Sequence, residues 1–232
     1  MLRALRFFAL AVTLLAFEPW SARAQSQSLS QSAPENPGGA ALTIDGVAAR
    51  IEDDILTESE LRELAAFQQL VDGHSKTRAE LIRELAAQWI VRGDANTAKF
   101  PRPSKADVDR AYSELMKQFK SPEEFQARCA AAGLTEAGVR RMLEEQLYLS
   151  RFIDFRFRPA AQISDEDIEK YYREEFMPQL KAHGEPLPPL EDVSDTIREV
   201  LIQRAISERA AKWLEETRNH LKIDVMTQGG GS

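Results

Sequence analysis

The stretch 190-LEDVSDTIREVLIQRAISERAAKWLEETRNHLKIDVM-226 decides the fold. Val193, Ile197, Val200, Leu201, Ala205, Ala210, Trp213, Leu214 and Leu221 fall mostly three or four residues apart. That spacing lays an apolar stripe along one face of a long helix. Asp195, Arg198, Glu199, Arg204, Glu208, Arg209, Lys212 and Glu215 fill the other face, with opposite charges at helical spacing. The period then changes. Lys222-Ile223-Asp224-Val225-Met226 alternates polar and apolar, as a strand does. A lone strand leaves its backbone groups unpaired and needs a partner. The best candidate lies at the other end of the chain, Gly46-Val47-Ala48-Ala49-Arg50-Ile51. The expectation is a domain whose two ends meet in one small sheet, with a helical excursion between them.

Working outward, six further helices announce their starts. Thr57-Glu58-Ser59-Glu60 is a capping box: the Thr57 hydroxyl accepts an early helix N–H, and Glu60 reaches back. This helix carries Leu61, Leu64 and Phe67 and stops at Asp72-Gly73. A second helix begins near Thr77 and is expected to end before Gly93-Asp94. Ser104-Lys105-Ala106-Asp107 opens a third, and Ser121-Pro122-Glu123-Glu124 a fourth, with an N-cap serine, proline at the first helical position and acids facing the dipole. Thr135 caps a helix that runs to about Phe157 and is broken by Pro159. Ser164-Asp165-Glu166-Asp167 caps another, carrying Ile168, Tyr171, Tyr172 and Phe176. Gly184-Glu185-Pro186-Leu187-Pro188-Pro189 then reads as a rigid connector.

The first residues carry a different message. Arg3 and Arg6 precede an apolar run, Phe7 to Phe17, and Ala22-Arg23-Ala24 has the small-x-small form of a signal-peptidase site. Residues 1–24 read as a secretory signal peptide. Residues 25–41, Ser/Gln-rich with prolines, read as a disordered tether, 42–226 as the folded core, and 227–232 as a flexible tail. Within the core, 100–176 reads as a helical lobe and 190–226 as the returning helix and strand. Removing Arg3, Arg6, Arg23 and Glu18 with the signal leaves 27 basic against 36 acidic side chains, a net charge of −9. Such a charge argues against nucleic acid as a partner. No membrane span is expected after signal cleavage. Cys129 is the only cysteine, so no internal disulfide can form. Export without disulfides points to a bacterial periplasm.

Ordinary catalytic constellations are missing from the pattern. His74, His183 and His220 share no helical face with one another or with Cys129. Metal ligation or a Cys–His nucleophile needs convergence. Adjacent acids such as Asp53-Asp54 or Glu144-Glu145 diverge on a helix. No cofactor or metal is expected. What remains is apolar surface for extended peptide segments, to which methionine and aromatic side chains are suited. Tyr148, Phe155, Phe157, Met142, Phe119 and Tyr172 are the candidate binding residues. Tyr148, Phe155 and Phe157 lead, because they fall off the main stripe of their helix.

The order of segments resembles the core of the SurA-type periplasmic chaperones. The residues that carry the resemblance are Val47–Leu61 (VAARIEDDILTESEL), Leu81–Leu85 (LIREL), Ser104–Val108 (SKADV), Ser121–Phe125 (SPEEF), Gly133–Glu136 (GLTE) with Arg140–Leu147 (RRMLEEQL), Ile163–Tyr172 (ISDEDIEKYY) and Leu190–Ile223. Together they span nearly all of residues 45–226. The resemblance implies a mainly α, multi-helix core of the SurA/trigger-factor-like kind, closed by a small β-sheet from its N- and C-terminal strands. It implies a chaperone for unfolded, outer-membrane-type exported proteins. In that family a parvulin-type prolyl isomerase domain sits between the Tyr171-Tyr172 helix and the returning helix. Here only Met177 to Pro189 fills the place, so the expectation is a chaperone without isomerase activity. A dedicated envelope partner, or a dimeric scaffold using the same groove, stays open as the alternative.

Overall fold

A computed structural model describes residues 45–226, and the fold lies in the unit that begins at Gly46. The signal peptide, the tether and the tail expected from the sequence lie outside the described residues.

The two ends of the described chain do meet. Strand β1 (Val47–Ile51) turns through Glu52-Asp53 into β2 (Asp54–Thr57), and β3 (Ile223–Val225) returns to the other side of β1. Both pairings are antiparallel, with Ala49 opposite Val225, Arg50 opposite Asp224 and Ile51 opposite Ile223. Glu52 takes a positive φ of 50°, the turn's one unusual backbone conformation. Ala48, Ala49 and Ile51 are fully buried, so the short central strand is the floor of a core.

Between the strands the chain is helical. α1 (Glu58–Asp72) and α2 (Arg78–Thr97) cover the sheet, packing Leu61, Leu64, Leu81, Ile82 and Ala86 on Ala48, Ala49, Ile51 and Leu56. α3 (Lys105–Met116), α4 (Pro122–Ala131) and the first half of α5 (Glu136–Phe157) form a second core with Phe67 and Leu70 of α1, around Tyr112, Phe125, Cys129 and Val139. Burial pushes the Cys129 thiol up, as expected of a small core side chain. Each predicted cap forms. Thr57, Thr77, Ser104 and Ser164 make reciprocal capping boxes, and the Ser121 and Thr135 hydroxyls accept from the N3 amides. One such cap is worth about 1 kcal/mol, which is why these starts are set locally.

One boundary differs from expectation. α2 does not stop before Gly93 but runs to Thr97. Ala95 is fully buried there and Asp94 pairs with Arg156 of α5, so tertiary contacts outweigh the roughly 1 kcal/mol that glycine costs a helix. The helix beginning at Asp165 continues beyond Phe176. α6 (Asp165–Tyr171) passes through a π turn (Tyr172–Phe176) into α7 (Met177–His183). The Met177 amide donates to the Tyr172 carbonyl, and the wider turn accommodates Pro178, which has no N–H to give. Gly184 then closes α7 in the left-handed conformation.

α8 (Leu190–Asn219) spans the molecule and delivers β3 to the sheet. Its Ile197, Ile206 and Ala210 are buried. Arg158, which caps α5, donates to both Asp154 and Glu199, tying α5 to α8. Arg198 donates to the Ile163 carbonyl and to Asp165, and Arg204 makes two 2.8 Å bonds to Glu175, so the α6–α7 arm is clamped to α8.

Candidate functional site

The second half of α5 is covered on two sides, and this arrangement creates the candidate site. Tyr148, Phe152 and Phe155 stand at i, i+4 and i+7 and make one stripe. Phe100, in the link after α2, lies over that stripe, with ring centroids 6.0, 5.5 and 5.3 Å from the three rings in turn. Leu149 and Ile153, and Trp213 and Leu214 of α8, pack half-buried against the same core. Phe157 joins them, its ring 5.7 Å from Trp213.

The stripe grades from core to solvent. Tyr148 is 1% exposed, Phe152 is 1% exposed and Phe155 is 61% exposed. Tyr148 is therefore corrected from groove to core. Its hydroxyl donates to Asn96 Oδ1 at 3.1 Å, and the Arg102 guanidinium covers its ring at 4.0 Å. It fell off the single stripe considered from sequence because α5 has two buried faces. Phe155 is the most exposed large apolar side chain among the described residues, and it sits at the open end of four touching rings.

The other candidates do not gather around it. Met142 is half-buried between the sheet core and the α3–α4 core. Phe119 lies edge-on to Phe125 at 5.1 Å, in the α3–α4 core. Tyr172 stacks on Phe176 and donates its hydroxyl to the Pro188 carbonyl at 2.6 Å, pinning the connector to the α6–α7 arm. Phe157 is half-buried under Arg156, which pairs with Asp94 and covers Trp213 at 4.7 Å. Of the six candidates only Phe155 is exposed, and Phe100 backs its ring. Phe100 was missed because it lies between helices, where no periodicity marks it.

Ionisable groups here serve structure. The Arg158 guanidinium holds the Glu199 carboxyl below its ordinary range, and Arg204 does the same for Glu175. Burial pushes the Tyr171 phenol up. Among the described residues no group of three or more His, Cys, Asp and Glu side chains converges to hold a metal, and no helix is long and apolar enough to cross a membrane.

No family model matches the chain. It is 26% identical over 135 residues to a protein of Azotobacter vinelandii named "Putative peptidyl-prolyl cis-trans isomerase NifM". The match takes in 54% of this chain and 46% of that protein, so the chain spans about half the length of its relative.

Proposed function

We propose that the protein is a periplasmic chaperone that holds unfolded or extended segments of exported proteins, of the outer-membrane type, against apolar surface. The observation that carries this reading is the exposed Phe155 ring, mounted on Phe100 and Phe152 at the end of a rigid helix. An aromatic ring held in place by its neighbours offers contact area at little cost in side-chain freedom. The α-helical core closed by a small sheet, and the partial similarity to a relative named as a prolyl isomerase, support a role in protein folding. Binding would need neither nucleotide nor metal.

The reading includes no isomerase activity of the chain itself. It is supported by the segment 177–189, which forms α7 and a short connector, where the SurA-type architecture would carry a β-rich isomerase domain. The relative's name speaks of isomerase activity in that protein, of which 46% is matched.

The test is light scattering of a denatured outer-membrane-type β-barrel protein diluted from urea, with and without this protein, beside a prolyl isomerase assay on the same sample. Suppression near stoichiometric ratio without isomerase activity is the expected result. Unchanged aggregation would overturn the chaperone reading, and clear isomerase activity would overturn the non-enzymatic one.

A further inference from the structure

The free edge of β3 borders an apolar groove. Glu52 N–H donates to the Lys222 carbonyl and Met226 N–H to the Ala48 carbonyl, each at 3.0 Å, and Arg50 lies opposite Asp224. Residues 222, 224 and 226 therefore turn their backbone groups toward β1. By the alternation of an antiparallel ladder, Ile223 and Val225 turn theirs away from it. Among the described residues no strand lies beyond them, since the sheet order there is β2-β1-β3. The side chains of Ile223 and Val225, with Leu221, form one wall of a cleft of about 540 Å³. Ala79, Ile82 and Ala86 of α2 form the other wall, and Arg83 and Arg218 also line it. Val225 is 55% exposed. Arg218 makes no ion pair among the described residues, and the chain as a whole carries a net charge of −7.

We infer that this edge and groove take an extended segment of a client, added as a fourth strand beside β3, with alternate apolar side chains in the cleft and an acidic residue toward Arg83 and Arg218. The inference rests on the chaperone reading for the class of occupant, and it names a second contact for that client besides Phe155. The geometry suits a strand more than a helix. Two unpaired residues at a sheet edge offer a donor and an acceptor each, and side chains at every second position reach one face. Arg83 and Arg218 both line the cleft of an acidic protein, which favours an acidic residue in the occupant. Apolar contact and main-chain bonds together tolerate many sequences, as a chaperone site must.

The probe is a labelled, end-capped peptide alternating valine with serine, with one serine replaced by glutamate. Binding is read by fluorescence anisotropy on the full-length protein. Val225→Pro removes the outward N–H while leaving residues 222, 224 and 226 free to bond to β1, a position where an edge strand tolerates proline. Ala79→Glu puts a carboxylate into the cleft at the start of α2, where acid favours the helix. Each variant, and separately N-methylation of the peptide's alternate amides, should weaken binding by about tenfold or more, the loss of a main contact. Circular dichroism checks the fold of both variants, and the N-methylated peptide needs no variant at all. Unchanged affinity in all three arms overturns the inference. So does a dimer in sedimentation that Val225→Pro dissociates, since the edge would then hold a second copy. Suppression of aggregation without peptide binding would overturn the groove and leave the chaperone reading standing; loss of both would overturn both.

Discussion

Replacing Phe155 by alanine separates binding from stability. The ring is 61% exposed, so about 40% of it is hidden against Phe100 and Phe152. An aromatic side chain presents roughly 200 Å², which puts the hidden part near 80 Å². At about 25 cal/mol per Å² the fold loses at most about 2 kcal/mol, and less because alanine keeps some contact. A client covering the exposed part hides roughly 120 Å² more, worth up to about 3 kcal/mol on the same scale. Affinity should therefore fall between about tenfold and a hundredfold, with the urea midpoint falling by at most about 1 M. The assay is anisotropy of a labelled, urea-unfolded β-barrel fragment, paired with unfolding by circular dichroism. A folded Phe155→Ala protein binding within about threefold of wild type would refute the reasoning, because a hot spot must cost more than that. Phe157→Ala behaves differently. Its ring is half-buried against Trp213, so that variant should lose more stability than affinity.

The remaining predictions concern the fold. Asp224→Pro removes an N–H that faces β1 and so breaks the closing ladder; unlike the edge change Val225→Pro, it should lower stability by about 1–3 kcal/mol in urea unfolding. Gly93 lies inside α2 with open space where a Cβ would stand, so Gly93→Ala should raise stability by about 0.5–1 kcal/mol. The Arg151 guanidinium and the Ser104 cap hold the Asp107 carboxyl well below its ordinary value, and Glu199 and Glu175 are lowered by their arginines. Lowered carboxyls contribute stability that is present above the unfolded value and lost as pH falls through the folded one. The urea midpoint should stay level from about pH 8 to 5 and fall below about pH 4. Asp107→Asn should make that acid decline shallower.

Much of this fold was legible because its signals are local. The side chains of Thr57, Thr77, Ser104, Ser121, Thr135 and Ser164 each bond an amide three residues on, so the cap is written in adjacent letters. The change of period after Leu221 marked β3, and its partner followed from the need of a strand for one. The passage of α2 through Gly93 was not legible. It depends on the burial of Ala95 and on Arg156, sixty-two residues away from Asp94. The π turn before Pro178 is a backbone adjustment that no residue type announces. The site was half legible. Phe155 was singled out and is exposed, yet Tyr148 was singled out for the same reason and is buried. A single-face reading of α5 could not separate them, because the second buried face exists only where Val91 and Ala95 of α2 pack on Tyr148 and Phe152.

The most direct measurement places a photo-crosslinking phenylalanine analogue at position 155 and, as a control, at the exposed Lys212 on α8. Each protein is mixed with an unfolded outer-membrane-type polypeptide and irradiated. Strong adducts to the client are expected from position 155 and few from position 212, with the signal at 155 lost when the client is folded. Equal labelling from both positions, or none from 155 while aggregation is still suppressed, would contradict the proposed role of Phe155.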